Sequence, residues 1–331
     1  MKRSFVFSPE ATLIVGPNAI GKTNILEAIY LLATGKSFRA EEERELIKEG
    51  QNVARISSDE LEIIWDRRER FAKHYKVNGV PKRQMDFVGN LRAVLFSPQD
   101  IEIVADSPST RRKYLDLVLT QVFKDYRVAA HIYDRALRQR NRLLRRIRDE
   151  GIDRTQLQYW DQLLIMNGKI IHDRRREYLS YLSQLSDLGS LRKQIFPISL
   201  HYDHSIISAD RLAKYAVEEI GAGTTLVGPH RDDFKIFNNK REVRLFGSRG
   251  EQRMATFELK LGELEYIKTR ANHDSPLQEP ILLLDDVFSE LDHANRHKLL
   301  EVIPKQQTIM TTTDLHLVEK GYLKHVELIE L

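Results

Sequence analysis

The chain has 331 residues, 41% of them apolar and none of them cysteine, and its 52 basic and 48 acidic side chains give a net charge of +4. That is enough chain for one large domain or two ordinary ones. A mean hydropathy of −0.43 and apolar runs as short as Ala28–Ala33 exclude a membrane helix, which needs ~18 apolar residues. Without cysteine there are no disulfide staples, thiol nucleophiles or thiolate metal sites. The start is basic and then apolar, but Ser8-Pro9-Glu10 breaks it before a secretory core forms, so the expectation is a cytoplasmic protein with no membrane association.

The first element is a short buried strand, Ala11–Val15. Gly16-Pro17-Asn18 follows, and then a helical run from Lys22 to about Ala33. Residues 52–83 read as a β-meander (VARIS, LEIIW, HYKV) closed by Asn78-Gly79, a strong hairpin signal. Leu91–Phe96 is a further apolar strand, ended by Ser97-Pro98. From about Ser109 to Leu188 glycine and proline nearly vanish and the apolar period becomes helical. Ile132, Ala136, Leu137, Leu143, Leu144 and Ile147 form one stripe, with arginines assigned to the opposite face. Asp161–Leu185 gives a second helix. Strand chemistry returns at Ile195–Tyr202, Asp232–Phe237 and Ile281–Leu284.

Charge is concentrated in the helical stretch. Residues 111–148 hold twelve Lys/Arg against Asp116, Asp125 and Asp134, a net +9 in 38 residues. Ten of the twelve are arginine, whose guanidinium suits phosphate better than ammonium does. The run reads either as the solvated face of a long helix or as a nucleic-acid-facing helix; on the second reading Arg111, Arg112, Arg135, Arg138, Arg142, Arg145 and Arg146 are the candidate DNA contacts. Arg111 and Arg112 stand near a helix start, where cations are disfavoured unless an anion is close.

Gly16-Pro17-Asn18-Ala19-Ile20-Gly21-Lys22-Thr23 matches the phosphate-loop pattern G-x-x-x-x-G-K-[ST], which a chain of this length meets by chance with a probability of about one in a hundred. It lies between a buried strand and a helix, as its mechanism requires. The loop's N–H groups converge on phosphate oxygens at a positive helix terminus. Lys22 is expected to reach the β- and γ-phosphates, the Thr23 hydroxyl to take a Mg²⁺ position, and Asn24 to complete the nucleotide-binding set. Downstream, residues 279–286 form an apolar strand ending in two acids, the Walker B pattern, with Asp285 as the Mg²⁺ partner and Asp286 as the carboxylate that orients or deprotonates water. Phe246-Gly247-Ser248-Arg249-Gly250-Glu251 leads into a helix and reads as a second anion cradle, with Ser248, Gly250 and Glu251 as its members. One ATP does not need two cradles from one chain; in a head-to-tail dimer each serves the other's nucleotide. Gly228-Pro-His230-Arg231-Asp232-Asp233 reads as a turn with a surface ion pair, and His230 lacks partners at metal-ligand spacing.

In this order, around a helical insertion, these motifs resemble the SMC-like ABC-type ATPases. Longer strings resemble the RecF family of bacterial recombinational repair ATPases in particular: GPNAIGKTNILEAIYLLATGKSFR (16–39), VLFSPQDIEIVADSPSTRRKYLD (94–116), TLVGPHRDDF (225–234), FGSRGEQR (246–253), LLLDDVFSELD (282–292) and TTTD (311–314). The resemblance covers nearly the whole chain. It implies an α/β ABC-type P-loop ATPase head, a mixed sheet with helices, from residues 1–96 and 220–331, with a largely helical arm at 97–219 for DNA or partner contacts. It also implies ATP and Mg²⁺ as cofactors, an ATP-dependent homodimer, binding to duplex DNA at gaps or junctions, slow ATP hydrolysis, and handover to a RecR-type mediator for recombinase loading.

Residue by residue, the resemblance places Asn18 and Gly21–Thr23 in the phosphate loop and Ser248 and Gly250 against the opposite subunit's γ-phosphate. Gln99 takes the position of a glutamine that approaches the metal. Thr313 replaces the switch histidine of transporter motors, Asp292 belongs to a dimer-facing loop, and 228–233 supports the nucleotide or DNA face. Arg249 stands where the family tends to have Gln, and Glu251 where it has Gln. The family's opening strand, with an Asn-Phe-Arg string ahead of the equivalent of Ser4–Pro9, is missing, which implies the loss of an edge strand and of basic residues near the base and phosphates. The competing readings are an ABC-type ATPase subunit of another complex with no direct DNA role, and a scaffold in which ATP is structural.

Overall fold

The computed structural model describes residues 3–187, 196–274, 279–290, 293–317 and 326–331. The chain divides into two compact units, a head of Met1–Asp100 with Lys260–Leu331 and a helical unit of Ile101–Leu259. In chain order the elements are β1 (Ala11–Val15), α1 (Lys22–Thr34), β2 (Val53–Ser57), β3 (Leu61–Asp66), β4 (Ala72–Val77), β5 (Val80–Lys82), α2 (Gln84–Phe87) and β6 (Ala93–Phe96). Then follow α3 (Ile101–Ala105), α4 (Pro108–Val122), α5 (Lys124–Glu150), α6 (Gln158–Asp187), β7 (Ser199–Asp203), α7 (Ala209–Lys214), α8 (Ala216–Ala222), β8 (Asp233–Asn238), β9 (Arg241–Glu242) and α9 (Val243–Phe246). The last are α10 (Arg249–Asp274), β10 (Ile281–Asp285), α11 (Val287–Glu290), α12 (His293–Val302), β11 (Thr308–Thr312) and β12 (Glu327–Glu330).

The head is organised by a parallel sheet in the order β12-β1-β11-β10-β6. Strands β1, β6, β10 and β11 are buried on both faces, which is why β1, β6 and β10 read as apolar runs rather than alternating ones, while the edge strand β12 is largely exposed. Leu26, Tyr30 and Ala33 of α1 cover one face, packing on Ile14, Leu95, Leu283 and Ile309. Leu31 and Leu32 of the same helix meet Ile63, Trp65, Tyr75 and Phe87 in a second cluster under the antiparallel sheet β2-β3-β4-β5. The β4–β5 turn has positive φ at both Asn78 (50°) and Gly79 (76°), as a type I′ hairpin needs. Gly35, at φ 69°, ends α1 and returns its N–H to the Leu31 carbonyl at 2.8 Å.

In the helical unit α5 and α6 pack along their length, and β7, β8 and β9 form a small antiparallel sheet. The buried stripe of α5 is Tyr126, Ala129, Tyr133, Ala136, Arg140, Leu144 and Ile147. Arg140 departs from the expected pattern. It lies in the core stripe at 2% exposure, with Asp161 Oδ1 2.6 Å from its Nε and Glu219 Oε2 2.7 Å from its Nη1. Gly168 of α6 is a close-approach glycine, since a Cβ there would stand 2.5 Å from Ile207 Cγ2. The helical unit ends inside α10, at Leu259, rather than near residue 220.

Candidate nucleotide site and basic face

All five strands of the head sheet run the same way, so β1, β6, β10 and β11 end at one edge. That edge is where open α/β sheets place ligands. Gly16 leaves β1 there; a Cβ on it would sit 3.0 Å from the Leu331 carbonyl and 3.2 Å from Ile20 Cγ2, so a larger residue would crowd both. Ala19 (φ 64°) and Gly21 (φ 108°) take left-handed conformations. Ala19 carries a Cβ there at a cost of about 1 kcal/mol. Pro17, Asn18, Ala19 and Ile20 are exposed, and Gly21 caps α1 with no side-chain hydrogen bond to the first-turn N–H groups. A helix start of this kind presents its donors outward.

Lys22 is buried, and its ammonium donates to the carbonyls of Gly16 (2.7 Å) and Pro17 (2.9 Å), so the lysine is folded back onto the loop. The Thr23 hydroxyl donates to Asp285 Oδ1 at 2.9 Å across 262 residues of sequence. This joins the start of α1 to the end of β10. Asn24 is exposed and accepts from Arg39 Nη1 at 3.0 Å.

Asp285 is buried at the end of β10, and Asp286 follows at φ 51°. In an extended strand the two side chains would point to opposite faces. The left-handed turn at Asp286 breaks that alternation, and aspartate tolerates the conformation better than most residues. The turn is held from outside by Thr311, whose hydroxyl accepts the Asp286 N–H at 3.1 Å, and from ahead by Ser289, whose hydroxyl donates to the Asp286 carbonyl at 2.7 Å. Gln99 is exposed on the turn Pro98–Asp100 just past β6, the neighbour of β10, and makes no hydrogen bond to Thr23 or Asp285. Thr313 is exposed beyond β11. Asp292 lies outside the described residues.

In the helical unit, Ser248 and Glu251 form a capping box at the start of α10. The Ser248 N–H donates to Glu251 Oε2 at 2.7 Å and the Glu251 N–H to Ser248 Oγ at 3.2 Å, the reciprocal pairing of S-x-x-E. The backbone N–H of Ser248 lowers the Glu251 carboxyl below its ordinary value. The Ser248 oxygen accepts in this box, which leaves its O–H to donate elsewhere. Gly250, next in the helix, brings no side chain to this end.

The arginines divide sharply. Arg111 is 3% exposed, and its Nε and Nη2 donate to the two carboxylate oxygens of Asp233 at 2.6 and 3.0 Å. Arg112 is half-buried and donates to the Asp232 carbonyl at 2.8 Å. The anion that offsets these cations at the α4 start is therefore internal. The string 228–233 is an internal hub as well. Asp232, fully buried, accepts from Arg175 Nη1 (3.0 Å), the Tyr202 hydroxyl (2.5 Å) and the Ser205 N–H (2.7 Å). His230 has its Nδ1 2.8 Å from the Tyr133 hydroxyl and its Nε2 3.0 Å from the Thr225 carbonyl, and burial pushes its imidazole down to about 4.

Arg135, Arg138, Arg142, Arg145 and Arg146 are all exposed on α5. At 100° per residue they fall within one sector of about 100°, opposite the buried stripe, over about 16 Å of helix. Arg138 is paired with Asp134, and Arg146 with Glu150 at 2.8 Å; Arg135, Arg142 and Arg145 make no hydrogen bond or ion pair with a described residue. Among the described residues no helix is long and apolar enough to cross a membrane.

A phosphate-type loop, a strand-end acid pair tied to it and a parallel sheet of this order define an ABC-type P-loop ATPase head. The model of the RecF/RecN/SMC N-terminal domain matches residues 2–327, and the chain belongs to that family. Within it, the chain belongs to the RecF proteins of DNA replication and repair. It is 37% identical over 357 residues to the DNA replication and repair protein RecF of Herpetosiphon aurantiacus, covering 96% of this chain and 91% of that one. The RecF of Halothermothrix orenii is 37% identical over 327 residues, with 91% and 86% covered. A solved structure of the recombination mediator protein RecF with ATP superposes with a TM-score of 0.84 at 33% identity, covering 96% of this chain and 90% of that one.

Proposed function

We propose that the protein is an ATP-dependent DNA-binding protein of recombinational repair and replication maintenance. ATP sits on the loop Gly16–Thr23, its phosphates reached by Lys22 and by the first-turn N–H groups of α1, with Asn24 beside the loop. Thr23 and Asp285 hold Mg²⁺; a hydroxyl and a carboxylate are the hard oxygen donors that ion takes. Gln99, on the adjoining strand's exit, joins from the exposed turn. The ion supplies charge neutralisation at the phosphates. Asp286 is the carboxylate that orients the attacking water. The observation that carries the reading is the Thr23–Asp285 hydrogen bond, which unites two motifs at the ligand-binding edge of a parallel sheet.

The Ser248 hydroxyl, Gly250 and Glu251 serve the nucleotide of a second copy, so that ATP bridges a homodimer. Duplex DNA at gaps or junctions lies along the α5 face formed by Arg135, Arg138, Arg142, Arg145 and Arg146. Arg111 and Arg112 support this face from within rather than touching DNA. Contacts of this kind go to phosphates, which select structure rather than sequence. A RecR-type mediator is the protein partner, recombinase loading the outcome, and slow hydrolysis the reset. The test is anisotropy of a labelled gapped duplex with and without ATP·Mg²⁺ at two salt concentrations. Binding that requires ATP and weakens steeply with salt is expected; equal binding without ATP would remove nucleotide gating from the account.

A further inference from the structure

Thr311 opens the string TTTD (311–314), in which the family resemblance gives a role only to Thr313, yet it stands at the centre of the nucleotide edge. Its strand, β11, lies between the strand that enters the phosphate loop and the strand that ends in the acid pair. The register sets Thr311 beside Ile14 on one side and Asp285 on the other. It is fully buried. A threonine hydroxyl has one proton to give and two lone pairs. Here Oγ1 is 2.8 Å from Asp285 Oδ1, 3.4 Å from the Leu284 carbonyl and 3.1 Å from the Asp286 nitrogen. The proton goes to the nearer acceptor, Oδ1 of Asp285, and a lone pair receives the Asp286 N–H.

We propose that Thr311 is a positioning residue for ATP hydrolysis, one hydroxyl that sets both acids of the Walker B pair. Asp285 is set directly. Its Oδ1 receives two hydroxyl protons, from Thr23 and from Thr311, and two donors converging on one oxygen fix the rotation of the carboxylate. Asp286 is set through its backbone, since the N–H held by Thr311 belongs to the left-handed residue that turns the second carboxylate out of strand alternation. The inference rests on the nucleotide-site reading above.

Thr311→Val keeps the shape and removes the hydroxyl, Thr311→Ser keeps the hydroxyl and removes the methyl, and Thr311→Ala removes both without adding bulk should valine not fit. Each full-length variant is melted, then titrated with a fluorescent ATP analogue at increasing Mg²⁺ and in EDTA, and assayed for steady-state hydrolysis. Expected are unchanged nucleotide binding in EDTA, a Mg²⁺ requirement raised about 10- to 100-fold with kcat lowered in the same range for Val and Ala, and recovery in Ser. A Val or Ala variant that melts normally and keeps the wild-type Mg²⁺ requirement and kcat overturns the proposal. So does a Ser variant as defective as Val, which would reduce Thr311 to packing. A wild-type protein with no Mg²⁺-dependent nucleotide binding overturns the site reading itself, and the proposal with it.

Discussion

Replacing Arg135, Arg142 and Arg145 together by alanine puts a number on the basic face of α5. These three are exposed and make no hydrogen bond or ion pair with a described residue, whereas Arg138 and Arg146 already face Asp134 and Glu150. If each of the three neutralises one phosphate of duplex DNA, the slope of log affinity against log salt falls by about 2.7. Between roughly 50 and 200 mM salt the wild-type protein then loses about 40-fold more affinity than the variant does. Folding should change by less than about 0.5 kcal/mol, because the substitutions touch only the solvent face and alanine favours helix. Fluorescence anisotropy of a gapped duplex in the presence of ATP·Mg²⁺, across four salt concentrations, measures both slopes. Parallel lines would refute the assignment of this face to the DNA backbone, whatever the absolute affinities.

Two further predictions concern the interior of the helical unit. Gly168→Ala, ordinarily a gain of up to ~1 kcal/mol inside a helix, should instead lose about 1–2 kcal/mol here, because the new Cβ would stand 2.5 Å from Ile207 Cγ2; a raised melting temperature would contradict this. For His230 the folded pKa is about 4 against the ordinary 6.5, so between those values the unfolded chain binds more protons and stability rises with pH. The contribution is complete above about pH 6.5 and is diminished by about 2 kcal/mol at pH 5. Urea unfolding at about pH 7.5 and about pH 5 should show a smaller drop for His230→Gln than for wild type, and equal drops would remove His230 as the cause.

What the sequence disclosed was local. β1 is the strand Ala11–Val15 as read, α1 starts at Lys22, and Asn78-Gly79 makes its hairpin, because each depends on neighbours in the chain. The phosphate loop and the acid pair are likewise contiguous strings. What stayed hidden was pairing at long range. Arg111 meets Asp233 122 residues away, and Arg175 meets Asp232 57 residues away. Nothing in a run of basic residues tells which guanidinium turns inward. Arg140 keeps the period of the buried stripe of α5, but its charge argued for the opposite face; Glu219 and Asp161, which neutralise it, come from distant segments. Thr311 escaped for a different reason. All five residues of β11 are buried, so its two consecutive threonines, Thr311 and Thr312, carry no alternation from which to choose the one that faces the acids.

The strand order of the head also sets a timetable. Among the described residues β1 pairs with β11 and β12, so the strand that leads into the phosphate loop has no strand partner until the residues of β11 have been made. The helical unit lies in one uninterrupted stretch between and finds its partners as it emerges. Pairings of such sequence separation are slow, and the strands that await them are exposed to mispairing meanwhile. A ribosome that stops after α1 and before β11 therefore leaves a chain that carries the phosphate loop but neither of the strands that pair with β1.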